Sequence, residues 1–484
     1  MSLFSIAPAM ADRPTLPNCA VASLLLTLMT GCSTNAPRNA EDASAAPARL
    51  ASDISLKHPS FSRSAVIYQI NTRQFTAEGT FTAAAAELPR LKSLGADILW
   101  LMPIHPIGEK HRKGTLGSPY SVKDYLAVNP EFGTLSEFKA FVEAAHKLGL
   151  YVIVDWVANH TAWDNNLVDQ HPDWYARNWQ GDYRPTPWSD WSDIIDLDYT
   201  QPELRDYMLS AMKYWVAEVG VDGYRCDVAS FVPTSFWNHV RRELDAIKPV
   251  FMLAEAQERD LHYAAFDAGY AWDWYNTIHA VASGQADANA LRAYYAAHQG
   301  AYPADTMRMM FTSNHDKNAW EGTQFEAFGD ALPAAIALSV ASEGIPLIYN
   351  GQEAGNNRRL KFFEKDPIRW QSHELASLFR RLFTLKKANR ALWNAGWGAP
   401  MVQVVNSEPQ SIFSFTRTKG DHRLLAMFNF SDQKRSFTLT DGPFANDWQD
   451  FASGQLLTLT GSSTVDLPAW GYQILVQPQT TSSP

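Results

Sequence analysis

The sequence predicts an α/β protein: a (β/α)8 barrel of the TIM type, with a short segment inserted after its third strand and an antiparallel β-sandwich behind it. Three observations carry this. Short apolar runs alternate with helical patterns from about residue 59 to 393, as strands and crossover helices of a parallel sheet do. One such unit, Gly220 to Ala256, ends both of its apolar runs in a carboxylate, Asp227 and Glu255, 28 residues apart, about one unit of an eight-fold barrel of ~250 residues. From about Asn394 the hydrophobic period changes to two, in runs such as Ser411-Ile-Phe-Ser-Phe-Thr and Gly471-Tyr-Gln-Ile-Leu-Val, which reads as strands separated by turns.

In chain order, residues 1–32 read as a leader. Ala20 to Met29 is apolar but too short to span a bilayer, and Cys32 follows in Thr30-Gly31-Cys32-Ser33. Residues 33–58, rich in Ala, Ser, Pro and Asn, read as a flexible tether. Ser64 to Ile70 is a first strand. A helix with Phe81, Ala84, Leu88, Leu91 and Leu94 on one face stops at Gly95. Asp97 to Pro103 is a fully apolar second strand, as a barrel interior requires. A long loop, Ile104 to Phe132, follows, and long loops after barrel strands shape sites. Thr134-Leu-Ser-Glu137 is a capping box for a helix burying Phe138, Phe141, Ala145 and Leu148. Tyr151 to Asp155 is strand three.

There the rhythm breaks. The next helix is expected at a second capping box, Thr200 to Glu203, with Leu204, Met208, Met212, Trp215 and Val219 inward. That leaves residues 157–199 as an insertion carrying Trp163, Trp174, Trp179, Trp188 and Trp191. Flat amphipathic rings beside a strand-end acid suit the wall of a sugar cleft. Strands four and five bracket a helix with Phe236, Val240, Leu244 and Ile247 inward. Ala264 to Tyr270, Thr306 to Phe311 and Ile345 to Tyr349 supply strands six to eight, and a helix from His373 to Ala388 closes the barrel. Residues 394–484 form the sandwich.

Charged residues make up 19% and hydrophobic ones 46%, an ordinary globular balance. A net charge of −10 argues against nucleic acid or anionic lipid as main partner. Of three cysteines, only Cys226 lies in the predicted folded part, so no disulfide is expected there.

Four strand ends carry polar clusters: Asp155-Trp-Val-Ala-Asn159-His160, Gly223-Tyr-Arg225-Cys-Asp227, Glu255, and Asn314-His315-Asp316. Carboxylates on adjacent strands, both at the end where such barrels keep their sites, are the pair a retaining glycosidase needs ~5–5.5 Å apart. Arg225, two residues before Asp227 and so on the same face of the strand, is expected to lower the pKa of that acid. The apolar strand Phe251 to Ala254 and a nearby anion would raise that of Glu255.

In these four segments the chain resembles the α-amylase family of glycoside hydrolases, in a bacterial, lipoprotein-type form. The likeness extends to Ala65-Val-Ile-Tyr-Gln, Gly95-Ala-Asp-Ile-Leu-Trp, Ile194-Ile-Asp196-Leu-Asp198 and Tyr349-Asn-Gly-Gln-Glu353. It implies hydrolysis of α-1,4-glucosidic bonds in starch and maltodextrins, with an endo-acting enzyme and a fairly open cleft as first expectation. It implies Asp227 as nucleophile, Glu255 as general acid and base, and Asp316 as the acid that distorts the ring. It further implies substrate binding by Tyr120, His160, Arg225 and His315, and a structural role for Asp155. The match at Cys32 implies a lipid anchor and an exported protein, periplasmic or in the outer membrane. No cofactor is required. Calcium is left open: Asn159 and Asp196 match two ligand positions, but an acidic loop common after strand one is missing. Ser230 and Phe231 stand where many relatives have Lys-His, and Val228 occurs in relatives that cut α-1,6 links, so the linkage stays open. A transglycosylase or α-glucosidase, and a non-catalytic starch-binding lipoprotein, remain as rivals.

Overall fold

A computed structural model describes residues 56–461 and 463–478; the leader, most of the tether and Cys32 lie outside the described residues. Eight parallel strands close into a barrel in the order β1-β10-β9-β8-β7-β6-β3-β2. They are β1 (Ile67–Ile70), β2 (Ile98–Leu101), β3 (Tyr151–Trp156), β6 (Gly223–Cys226), β7 (Phe251–Ala254), β8 (Ala268–Tyr270), β9 (Met307–Met310) and β10 (Ile345–Tyr349). Two further short strands, β4 (His160–Ala162) and β5 (Ile194–Asp196), pair antiparallel inside the inserted segment. The barrel strands are buried on both faces, as a layer between barrel interior and outer helices must be. Because all eight run the same way, their C-terminal ends open on one face, and Asp227 and Glu255 both follow such ends directly.

Beyond the barrel, a six-stranded and a three-stranded antiparallel sheet enclose a second core with Val404, Leu425, Phe437 and Trp448. This part is tied to the barrel by its other face: Phe413, Phe415, Leu424 and Phe428 belong to the barrel's own apolar cluster. The buried guanidinium of Arg417 donates to the carbonyls of Ala399, Ala341 and Ser342.

Local chemistry changes several expected boundaries. The single helix expected over residues 81–94 is two, Phe81–Ala86 and Leu88–Leu94. Pro89 has no N–H to donate and is tolerated only in a first helical turn, so the chain restarts there. The capping box at Thr134 forms. That at Thr200 does not: the Thr200 hydroxyl donates to Asp198, and the helix Pro202–Tyr214 begins after an N-cap Gln201 without a side-chain cap. Ile247 is not inward; its helix ends at Asp245 and it stays 39% exposed. The closing helix, Glu374–Ala388, buries Leu375, Phe379, Leu382 and Leu385.

Strand β6 carries one steric demand that a residue pattern does not announce. Gly223 has φ +143, and a Cβ there would lie 1.9 Å from the Phe251 carbonyl oxygen. Gly223→Ala is expected to destabilise the protein by about 3 kcal/mol or more, because the clash is with backbone of the neighbouring strand. Thermal unfolding would show it; a melting temperature within a degree of the parent would refute the tight approach.

Candidate active site

The site is organised around one buried cation. Arg225, on β6, is fully buried, and its guanidinium reaches three carboxylates: Nη1 donates to Asp155 Oδ1 at 2.8 Å and Asp227 Oδ1 at 2.9 Å, and Nη2 lies 2.6 Å from Glu255 Oε1. Asp227 and Glu255 therefore converge on one guanidinium. The planar fork of an arginine is suited to bridging carboxylates in this way.

The cause of this arrangement lies in two registers. Arg225 pairs with Leu253 of β7 and Asp155 of β3 in the barrel ladder, so residues one or two beyond reach the same rim. Next, Val228 turns out of the strand with φ 37, a left-handed conformation that is costly for a β-branched residue. That turn aims its N–H at Glu255 Oε2, 2.8 Å away. The backbone strain thus fixes the second carboxylate beside the first.

The remaining expected residues gather here. Tyr120 donates to Asp155 Oδ2 at 3.0 Å and its hydroxyl lies 2.7 Å from His315 Nε2. His315 Nδ1 meets Gln69 Nε2 at 2.7 Å. As the amide must donate, His315 carries its proton on Nε2 and gives it to Tyr120; both ring nitrogens are engaged by protein. His160 accepts at Nδ1 from Asn159 and points Nε2 toward Asp227 Oδ2, 3.9 Å away. Burial lowers its pKa to about 4, so it acts as a neutral donor. Asp316, the least buried of the acids, lies 3.3 Å from His315 Nε2.

Charge balance sets the protonation. Asp155, Asp227 and Glu255 share one fully buried guanidinium, and Asp316 stands beside them without reaching it. Burial pushes Glu255 up to about 7, helped by the charge of Asp227 and opposed by Arg225 and the Val228 N–H. Burial also raises Asp227, to about 6, against the pull of Arg225. The expectation that Arg225 would hold Asp227 below its ordinary range is corrected: desolvation outweighs the guanidinium at this depth. The order of the two still assigns the proton to Glu255. Asp316 rises to about 8, through burial and then the charge of Glu255. A mechanism that needs Asp227 charged and Glu255 protonated loses rate as pH falls below about 6 and again as it rises above about 7. We expect a narrow bell in kcat/KM whose limbs belong to the coupled pair; a profile flat from pH 5 to 9 would exclude these two acids.

Around the acids lies a cleft of about 530 Å³, lined also by Lys113, Trp191, Asp193, Trp320, Phe362 and Phe363. None of these was singled out as a site residue except Trp191, among the inserted tryptophans. The other four depart from the expected sugar wall: Trp174 is buried, Trp163 is half-buried, and Trp179 and Trp188 stand 91% and 105% exposed. Phe362 and Phe363 sit in an irregular loop after β10, where no periodicity marks them. A second cavity, of about 600 Å³, lies between residues 292–310 and 400–415, and Glu343 is the one acid among its lining residues. Chemistry, not size, selects the first.

Asn159 and Asp196 are the two residues that match calcium-ligand positions. Asp196 Oδ1 is taken by the Thr186 hydroxyl and by Asn159 Nδ2, and Oδ2 faces Arg184 Nη2 at 3.3 Å. With an amide N–H, a hydroxyl and a guanidinium on the Asp196 oxygens, Asn159 and Asp196 as they stand do not fit the ion. Among the described residues no cluster of three His, Cys, Asp or Glu has metal-binding geometry.

Comparison with known proteins now decides the family. The profile of the α-amylase catalytic domain matches residues 59–396. The chain belongs to the α-amylase family. Among solved structures, this family member is similar to a noncanonic maltogenic α-amylase, AmyB, from Thermotoga neapolitana: 32% identity, TM-score 0.78, covering 85% of this chain and 98% of that one. An α-amylase from Lactobacillus plantarum is 30% identical at TM-score 0.77, over 86% and 100% of the two chains. Among curated proteins, the α-amylase MalA of Haloarcula japonica is 27% identical over 419 residues, 82% of this chain. The amylase-family chain spans 59% of the length of that relative. An α-1,4-glucan:maltose-1-phosphate maltosyltransferase of Rhodospirillum rubrum is 33% identical over 261 residues, 49% of this chain and 36% of its own.

Proposed function

We propose that the protein is a retaining glycoside hydrolase that cleaves α-1,4-glucosidic bonds in starch and maltodextrins. The observation that supports it best is that Asp227 and Glu255 converge on one guanidinium, with burial raising Glu255 the higher of the two. In the first step an Asp227 oxygen bonds to the anomeric carbon while the bond to the leaving oxygen breaks and Glu255 gives that oxygen its proton. In the second, water loses a proton to Glu255 and attacks the same carbon. The Asp227–carbon bond breaks, the carboxylate returns, and the configuration is retained. Tyr120 offers its ring to the reacting sugar, and His160, His315 and Asp316 surround it. Arg225 acts through Asp227 and Glu255.

Names of relatives favour this reading, and they include a maltosyltransferase, which keeps the transglycosylase alternative alive: a sugar hydroxyl in place of water would resolve the same intermediate. The test is reducing-end release from soluble starch, maltodextrin and pullulan, with the product anomer read by NMR. Release of an α-anomer supports the reading. No release from any of the three leaves the non-catalytic starch binder.

We further propose a lipid anchor at Cys32 and an exported protein. The support is the Thr-Gly-Cys-Ser stretch after an apolar run; incorporation of labelled fatty acid into the parent but not into Cys32→Ser tests it.

A further inference from the structure

The 43-residue span of the insertion, 157–199, suggested an open cleft, but loop contacts give one side of it a wall. In the barrel order, β1 lies across from β7, and β10 and β2 flank β1. Glu255 follows β7, so the leaving group of a bound chain sits on the β7 side, and the sugar that becomes attached to Asp227, with everything beyond it, points toward β10, β1 and β2. There the loops after β2 and β10 are bonded together. The Leu116 N–H donates to the Phe363 carbonyl at 3.1 Å. The Thr115 N–H donates to Glu364 Oε1 at 2.9 Å, and its hydroxyl to the other oxygen. Gly114 is packed so closely on Phe363 that a Cβ would lie 2.5 Å from that side chain. The loop after β2 is tied on its other flank to the inserted segment: Lys113 Nζ donates to the Asp190 carbonyl at 2.6 Å and lies 3.6 Å from Asp193 Oδ1. Inside this rim Phe362 lies parallel to Tyr120, centroids 6.1 Å apart, so the aromatic platform runs from the reacting sugar straight to the wall. On the β6 side, by contrast, Phe231 stands 56% exposed.

We infer that Lys113, Thr115 and Glu364 set product length: their latch closes the glycone end of the cleft, so the protein binds the non-reducing end of an α-glucan and releases one short glycone of fixed length. This rests on the retaining-glycosidase reading above. The residues are positioning residues; they hold the loops and touch no reacting atom.

The test is the early product distribution from maltoheptaose labelled at its reducing end. The parent is expected to give one dominant unlabelled product from the first turnovers. Lys113→Ala, Thr115→Ala and the double variant Lys113→Ala/Glu364→Gln are expected to give several unlabelled lengths, with the dominant product falling at least about two-fold in share. The readout is a ratio of products and does not depend on how much protein folds; the two single variants stand in if the double one fails. A broad distribution from the parent, or the parent's ratio kept in all variants, overturns the inference while leaving the glycosidase reading intact. No cleavage of maltoheptaose by the parent overturns the inference, and no release from starch and pullulan as well overturns both.

Discussion

Asp227→Asn is expected to lose at least ~10³-fold in turnover on α-glucan, with no loss of melting temperature. The amide cannot form the glycosyl ester, so the route through a covalent intermediate is closed. The fold has no reason to suffer. Arg225 keeps Asp155 at 2.8 Å and Glu255 at 2.6 Å as partners, and one of four crowded, desolvated carboxyls has been made neutral. Sites built for charge at the cost of stability commonly stabilise when it is removed, so the melting temperature should be equal or higher. The pKa of Glu255 should fall, because the Asp227 charge is one of the influences that raise it. The measurement is turnover beside thermal unfolding on one preparation. Parent-like turnover would remove Asp227 from the mechanism; lost turnover with a much lower melting temperature would mean that the carboxylate is structural.

Glu255→Gln is expected to lose ~10³-fold or more on maltodextrin but much less in the first step on a substrate such as an α-maltosyl fluoride. A fluoride leaves without a proton, and the glutamine can no longer supply one. Water activation is lost as well, so the glycosyl group should accumulate on Asp227, visible as a mass increase of the intact protein. The limb of the pH profile above about 7 should vanish on the fluoride, since that limb reports the proton on Glu255. If both substrates suffer equally and no adduct forms, Glu255 is not the general acid. The Val228 N–H, 2.8 Å from Glu255 Oε2, can no longer be matched by a charged oxygen, but an amide oxygen accepts it, so the local turn should survive.

The barrel was legible because its signals are local. Apolar runs of strand length, a helical period between them and a repeat near 28 residues survive in one dimension, and they place Asp227 and Glu255 on neighbouring strands before any coordinates are known. The polar strand ends were legible for the same reason: in a parallel barrel all C-terminal ends share one face, so Tyr120 apart, the expected site residues needed only a strand boundary to be found. What failed were details in which one residue has two chemically similar options. Thr200 could cap a helix or bond to Asp198, and it bonds to Asp198. Pro89 interrupts an otherwise continuous helical pattern, which apolar spacing alone does not show.

By itself, then, the sequence determined the order of elements, the face on which chemistry sits, and which acids lie within one strand of each other, because backbone hydrogen bonding and side-chain alternation convert spacing into position. Only the tertiary structure decided that one guanidinium serves three carboxylates, that burial outweighs it at Asp227, and that Arg184 pairs with Asp196. It also decided that Phe362, Lys113 and Glu364, drawn from loops hundreds of residues apart in one case, build a single rim. Desolvation and loop-to-loop contact depend on everything that surrounds an atom in space, and no window of adjacent residues contains that information.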